Sequence, residues 1–447
     1  MADTKCCQDI PRPGYVQGAA AQRRADLYDG KIGVRTLLRN KKALAVAAFA
    51  SIGGFLYGYQ QGVLGGTFTK PSFQSKFPRT TEATVQSLLT AILQIGGYLG
   101  SLTAGLFGEV YSRKHTLLSG ALWVVLGSFL CAGAGNLAFL YAGRFFTGVG
   151  VGTLAGIGFL YNAELAPPEV RGLLVAMQQL GVTFGIMVAY WIGYGTNFIG
   201  GTDLTQTALA WQLPWIIQGI PAVILAAGTF FMPYSPRLLV NKGREAEAIS
   251  TLAYLRNLPE HHDLIKIEFL EIKAEAIFNK RLLEQRYPQL VKKGGSIWVR
   301  EIMGYANLFR TQDSFKRTAI AGIIMFFQQW TGIDSRTAIG ATSNWANTIV
   351  VAYTVPPMIK NIGYGTYILF AVFNVLSIIF VYFFVPETKG KTLEEMDLVF
   401  GSHASQQETA MLARIQKEVG LTALLMNEKS QRLSEEQYST ETDVVSA

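Results

Sequence analysis

The chain has 447 residues, half of them hydrophobic and only 16% charged. Soluble domains of this size carry about a quarter charged residues, so an ordinary soluble protein is excluded. The net charge of +8 would suit a nucleic-acid partner. Its Lys and Arg instead collect between apolar blocks, on the side that the loops mark as cytoplasmic, which is the positive-inside bias of a membrane protein and leaves no nucleic acid to expect.

Residues 1–42 are polar, without a signal-peptide pattern, and are expected to form a cytoplasmic tail. Cys6 and Cys7 could accept acyl chains, but unmodified tail cysteines are the simpler expectation, and three cysteines make no disulfide framework. Apolar blocks long enough to cross about 30 Å of hydrocarbon as helix then fall at 43–66, 85–108, 116–134, 138–161, 172–194, 211–233, 318–334, 338–358 and 365–386. The fold class expected is therefore all-α, a polytopic membrane helix bundle. Arg35, Arg39, Lys41 and Lys42 place the start inside, as do Arg113, Lys114 and His115 in the loop 109–115. The turn 135–137 and the loop 195–210 lack Lys and Arg and read as outside.

Spans 43–233 make a six-helix N-terminal bundle. The basic linker 234–317 comes next, on the inside, with apolar residues at helical spacing (Ile249, Leu252, Leu255; Ile267, Leu270, Ile272) that predict amphipathic surface helices. Residues 318–386 make a shorter second bundle. Residues 387–447 are expected to be a cytoplasmic tail, largely disordered, because 401–447 is rich in Ser, Glu and Gln.

The two bundles share a pattern. Arg171 opens a span with Gln179 eight residues on, and that helix pair ends in Pro233, Ser235, Pro236 and Arg237. Arg336 opens a span with Asn344 eight residues on, and that pair ends in Pro386, Glu387, Thr388 and Lys389. Each pair carries an amide about 12 Å along its helix, near the bilayer middle. Duplicated halves around a midplane site are the mark of secondary transporters. The second copy is short: three helices precede Arg171 after the first span, and almost nothing separates 318–334 from Arg336. Nine spans would also put Lys389, Lys391 and the tail outside, against the positive-inside bias. The chain reads as an incomplete version of a longer protein, although a segment 318–334 that does not cross would also restore the orientation.

Polar groups in hydrocarbon are costly and mark functional candidates. Gln60 and Gln61, Gln178 and Gln179, Gln328 and Gln329 beside Trp330, and Asn344 and Asn347 around Trp345 fall in four different spans. Amides donate and accept without charge, which suits a neutral polyhydroxyl ligand, while Trp and Tyr offer apolar faces to a sugar ring. The plainer reading is that such amides join helices. Arg144, well inside an apolar segment, is either a structural anchor or part of a coupling network. The glycine run Gly148, Gly150, Gly152, Gly156 and Gly158 is read as helix packing.

In these residues the sequence resembles the sugar porter family of the major facilitator superfamily, and within it fungal monosaccharide transporters. Gly105, Glu109, Arg113 and Lys114 match the loop after the second helix, with Glu in place of Asp and Val110 and Ser112 departing from the pattern. Gly143-Arg144-Phe145 matches the start of the fourth helix; Glu164 and Pro167 to Gly172 match the loop after it. Ser235-Pro236-Arg237 (after Tyr234 in place of Glu), Gln328-Gln329 with Gly332-Ile333, and Pro386 to Gly390 complete the series. The resemblance covers about 40–400 and implies that the counterparts of the eighth, ninth and tenth helices are missing.

The resemblance implies Gln179, Gln328, Gln329 and Asn344 as hydroxyl partners of a sugar, with Gln178 and Trp345 beside them. It implies cytoplasmic charge clusters from Glu109, Arg113, Lys114, Glu164, Arg171, Arg237 and Glu387, with Arg144 as a further candidate. Proton-coupled members carry an Asp where this chain has Gln60, so passive uniport is the expectation. Asp334 replaces the Asn that comes after Gly-Ile in the family. The implied function is carriage of a hexose-like sugar by alternating access, at the plasma membrane, by a monomer with no cofactor or metal. The chain as written could be inactive, and a sugar sensor that binds without transporting is the alternative. An enzyme is not expected, because His115, His261, His262 and His403 lie in loops or the tail with no nucleophile–base set.

Overall fold

The computed structural model describes residues 40–167, 170–202, 205–286, 338–384 and 405–426, with isolated positions at 20, 22–24, 27, 319 and 323. The first helices are α1 (Lys41–Phe68), α2 (Ala83–Val110), α3 (Arg113–Ala132), α4 (Leu137–Leu165), α5 (Arg171–Thr196) and α6 (Leu209–Thr229). They continue with α7 (Glu245–Arg256), α8 (Asp263–Arg286), α9 (Ala338–Ile362), α10 (Gly365–Phe384) and α11 (Ser405–Glu418). The described chain divides into two compact units. One holds Ala43–Ser235 with Ile297–Glu387, the other Met1–Lys42 with Pro236–Ser296 and Thr388–Ala447.

Among the described residues, six helices, α1 to α6, are long and apolar enough to cross a membrane. Each falls within a few residues of an expected span. α9 and α10 occupy the expected spans 338–358 and 365–386, with Pro356 and Pro357 inside α9. The expected span 318–334 lies outside the described residues. Local chemistry sets the helix starts. The Ser112 hydroxyl accepts from the Lys114 amide at the head of α3, and the Asn136 side chain accepts from the Phe139 amide at the head of α4.

Lipid gives helices no hydrophobic drive to associate, so backbone proximity and dispersion must do it. α4 sits between α2 and α3, and its glycines are where it meets them. A Cβ on Gly152 would lie 2.1 Å from the Gly97 carbonyl oxygen of α2, and one on Gly150 would lie 2.6 Å from the Gly120 oxygen of α3. α1 and α5 meet as closely: a Cβ on Gly58 would lie 1.8 Å from the Val182 oxygen. The glycine run is thus a packing device, as its composition suggested.

The segment after α1 folds back as a short helix, Pro71–Lys76. Phe73 and Phe77 meet Trp211 edge-on at 5.6 and 5.7 Å. Beneath them Lys70 is fully buried, and its Nζ donates to Thr196 Oγ1 (2.6 Å) and to the Ala210 carbonyl (2.5 Å). Burial pushes its ammonium down from 10.5 to about 8.

In the second unit, α7 and α8 carry the linker. Leu252, Leu255 and Ile267 are buried, and Arg256 pairs with Glu268 at 3.0 Å, both nearly inaccessible. Asn257, in the left-handed region at φ 55°, ends α7. Part of the tail, residues 405–426, departs from the expected disorder. Residues 405–426 are largely helical and pack on α8, where Leu421 and Ala20 are buried against Ile267 and Leu424 and Leu425 join them. Arg281 pairs with Glu418 at 2.8 Å, and Arg24 pairs with Glu271. The physical reason is local: Met411, Leu412 and Ile415 recur at helical spacing, and after the turn at Gly420 come Leu421, Leu424 and Leu425, apolar positions that the polar composition of the whole tail conceals.

Gly58→Ala is expected to destabilise the purified protein by about 1–3 kcal/mol, because a methyl must enter the α1–α5 crossing. Gly65→Ala, whose Cβ would meet nothing within 4 Å, serves as the neutral control. Thermal unfolding of the two variants checks this. For Lys70 the folded value lies below the unfolded one, so its neutral form is favoured on folding and the burden is heaviest below about pH 8. Stability should rise between about pH 8 and 10.5 by of order 3 kcal/mol more in the parent than in Lys70→Met, measured as the difference between their pH profiles.

Candidate functional site

Gln60 and Arg144 meet in the bundle interior. The Arg144 Nη1 donates to Gln60 Oε1 at 2.7 Å, and its Nε donates to the Leu89 carbonyl at 3.3 Å. The guanidinium carbon lies 5.7 Å from the centre of the Trp215 ring, a cation–π distance. One charged side chain therefore ties α4 to α1, α2 and α6. Arg144 is 1% exposed, and among the described residues no carboxylate pairs with it. Its charge is met by an amide, a carbonyl and an aromatic face.

A second polar group lies where α1, α4 and α5 converge. Gln178 is fully buried, and neither atom of its amide has a protein partner. A Cβ on Gly158 would lie 2.7 Å from its Nε2, and Gly54 faces its backbone oxygen, so glycines on two helices make room for it. Asn162 Nδ2 donates to Ser51 Oγ at 3.3 Å, while its Oδ1 is unpartnered. Neighbouring Gln179 takes the other side. The packed face of α5 runs through Leu174, Gln178, Val182, Gly185 and Ala189, and Gln179 sits half-exposed on its flank.

Trp345 is 2% exposed. A Cβ on Gly97 would lie 2.4 Å from its ring, and Tyr57 meets that ring edge-on at 5.3 Å. A second-bundle helix is thus seated on the first bundle by an aromatic wedge over a glycine. Asn344 lies within α9, one residue before it. Gln328, Gln329 and Glu387 lie outside the described residues.

The charged residues expected on the cytoplasmic side divide into separate groups. Arg113 donates through Nε and Nη2 to Glu164 at 2.9 to 3.2 Å, through Nη2 to Glu109 at 2.5 Å, and through Nη1 to the Gly108 carbonyl at 2.7 Å. Arg113 and Glu164 are nearly inaccessible, at 4% and 7%. The clamp closes the ends of α2, α3 and α4. Lys114 donates to the Phe230 carbonyl and lies 5.1 Å over the Tyr234 ring. Arg237 pairs with Glu275 of α8 at 3.1 Å, within the linker unit. Arg171 is the first residue of α5. Sequence reasoning passed over Gln94, Asn162 and Gln218, buried polar side chains inside spans, and the buried Trp215. The rule that picked out Gln60 would have found the amides; Trp215 carried no signal.

Crossing helices joined at glycine contacts, buried amides at mid-depth and a charge clamp at one end define a polytopic membrane carrier. The family model described as "Sugar (and other) transporter" matches residues 46–342 and 334–400. The chain belongs to this family, the sugar porters of the major facilitator superfamily. It is 27% identical over 477 residues to a quinate permease of Emericella nidulans, covering 81% of this chain and 89% of the permease. It is 27% identical over 477 residues to the MFS glucose transporter mfs1 of Aspergillus flavus, covering 80% and 89%. The proton:xylose symporter XylE from E. coli has the same fold, with a TM-score of 0.59 at 20% identity, covering 80% of this chain and 99% of that one. These relatives are transporters and permeases, not enzymes.

The alignment with the permease is longer than the part of this chain that it covers. The 81% that aligns is about 362 residues of 447, so roughly 115 of the 477 aligned positions have no partner in this chain. The family match also restarts at 334, where the internal repeat breaks.

Removing Arg113 strands Glu164 in a nearly inaccessible site. Arg113→Ala is expected to destabilise the bundle by about 3 kcal/mol, whereas Arg113→Ala combined with Glu164→Gln should recover part of that loss. Denaturation of the purified variants in detergent measures both.

Proposed function

We propose that this sugar porter is built to carry a neutral, hexose-like solute across the plasma membrane as a monomer, by passive uniport. The observation that carries the reading is the bond between Gln60 and Arg144. An amide in that place holds the buried guanidinium without a group that titrates, so no proton need bind or leave as the bundle changes state. Gln179 on the half-exposed flank of α5, with Gln328, Gln329 and Asn344 from the second bundle, would meet the sugar hydroxyls. Gln178 and Trp345 would act from behind, shaping the helices that present them. The clamp of Arg113 with Glu109 and Glu164, with Lys114 and Arg171, would bias the two-state equilibrium toward the outward-facing state, and Arg237 and Glu387 would act as separate charge groups.

The missing counterparts of three helices remove one wall of such a site. Turnover should therefore be low. The glucose transporter and the quinate permeases among the relatives leave two cargo chemistries, a neutral sugar and an acidic polyol. The uncharged amides favour the neutral one. A second reading, a sensor that binds sugar without carrying it, draws support from the tail. Residues 405–426 dock on α8, which gives the cytoplasmic side an ordered part through which a bound state could act.

Expression in cells lacking their own hexose carriers tests this. Sugar uptake at least about tenfold slower than that of a full-length relative, a difference of about 1.4 kcal/mol in barrier, and without proton influx, is the expected outcome. Gln60→Asp should add sugar-driven proton influx. Proton influx in the parent would remove the uniport reading, and normal surface expression with sugar binding but no uptake would favour the sensor.

A further inference from the structure

Among the described residues no carboxylate pairs with Arg144, and two of the side chains that contact it keep an unused donor. Gln60 spends its oxygen on Arg144, and its Nε2 is buried with no partner. The Trp215 Nε1, on the ring over which the guanidinium lies, is also buried with no partner. Arg144 itself donates two bonds, through Nε and Nη1, out of the five N–H groups of a guanidinium. A buried cation without a counter-charge is costly, and buried donors without acceptors add to that cost. Three donor side chains from α1, α4 and α6, with no carboxylate among them, have the composition of a site for a negative ligand.

We propose that the Gln60–Arg144–Trp215 cluster binds one small monovalent anion, either an inorganic halide or the carboxylate of a small solute. The anion accepts from Gln60 Nε2, Trp215 Nε1 and the remaining guanidinium N–H groups. It neutralises Arg144, which Gln60 cannot do. A singly charged ion matches a single guanidinium; a doubly charged one would leave a net negative charge buried in its place. The proposal does not depend on which solute the protein carries, because its readout is binding and not uptake.

The test uses the full chain purified in detergent. Thermal unfolding is followed while sodium bromide, sodium chloride or sodium quinate replaces sodium 2-(N-morpholino)ethanesulfonate at constant ionic strength. That baseline anion is too bulky for a buried site. The expected result is a saturable rise in midpoint of about 5 °C at a large excess of the bound anion. A response to halides alone assigns an inorganic ion, a response to quinate alone assigns a solute carboxylate, and both together assign a shared site. Gln60→Asp supplies a fixed carboxylate and should abolish the response. Trp215→Phe removes one donor and should weaken the apparent affinity at least about threefold. Equal midpoints in all four salts overturn the proposal, as does a full response in folded Gln60→Asp. Should that variant not fold, an unchanged affinity in Trp215→Phe overturns it.

Discussion

The bond from Arg144 to Gln60 is the point on which the first bundle turns. In hydrocarbon no water competes for a polar group, so each must find its partner within the protein. Arg144 finds an amide on α1, a carbonyl on α2 and an aromatic face on α6. The result joins four helices through one side chain, and it does so with dipoles where a carboxylate would have been the cheaper match. That choice has two consequences. Gln60 brings no titrating group to the link, and among the described residues no carboxylate cancels the charge of Arg144.

Around that link the bundle is assembled by contact between backbones. Gly152 against Gly97 and Gly58 against Val182 bring helices to distances that any side chain would forbid. The same contacts make room for the few large polar groups. Gln178 lies against Gly54 and Gly158, and Trp345 enters over Gly97. Small residues thus serve two ends, close approach and space for an amide or an indole.

The helix ends use charge in a different way. Arg113 spends its donors on two carboxylates and a carbonyl, so that the loop from α2 to α3 and the end of α4 are fixed to one guanidinium. Arg256 with Glu268 does the same between α7 and α8 in the linker unit. Burial makes both pairs sensitive to the loss of one partner. About 115 positions of the alignment with the quinate permease find no counterpart in this chain, and α9 packs on the first bundle through Trp345 over Gly97.

Much of this was legible in the residues alone. Span length and hydropathy fixed α1 to α6, because about 20 apolar residues in lipid have few choices other than helix. The motif residues Arg113, Glu109 and Glu164, which the structure brings together, were equally visible. The order of residues 405–426 was not legible, because their few apolar residues, Val419, Leu421, Leu424 and Leu425 among them, are diluted by polar neighbours until α8 supplies a surface for them. Which of Gln178 and Gln179 turns into the bundle was not legible either, since adjacent residues of a helix differ by about 100° and only the position of α1 selects between them. Sequence decided which groups would be in the membrane. Tertiary packing decided their partners, because partnership there depends on which backbones come within a few ångströms, and the glycines set that only in three dimensions.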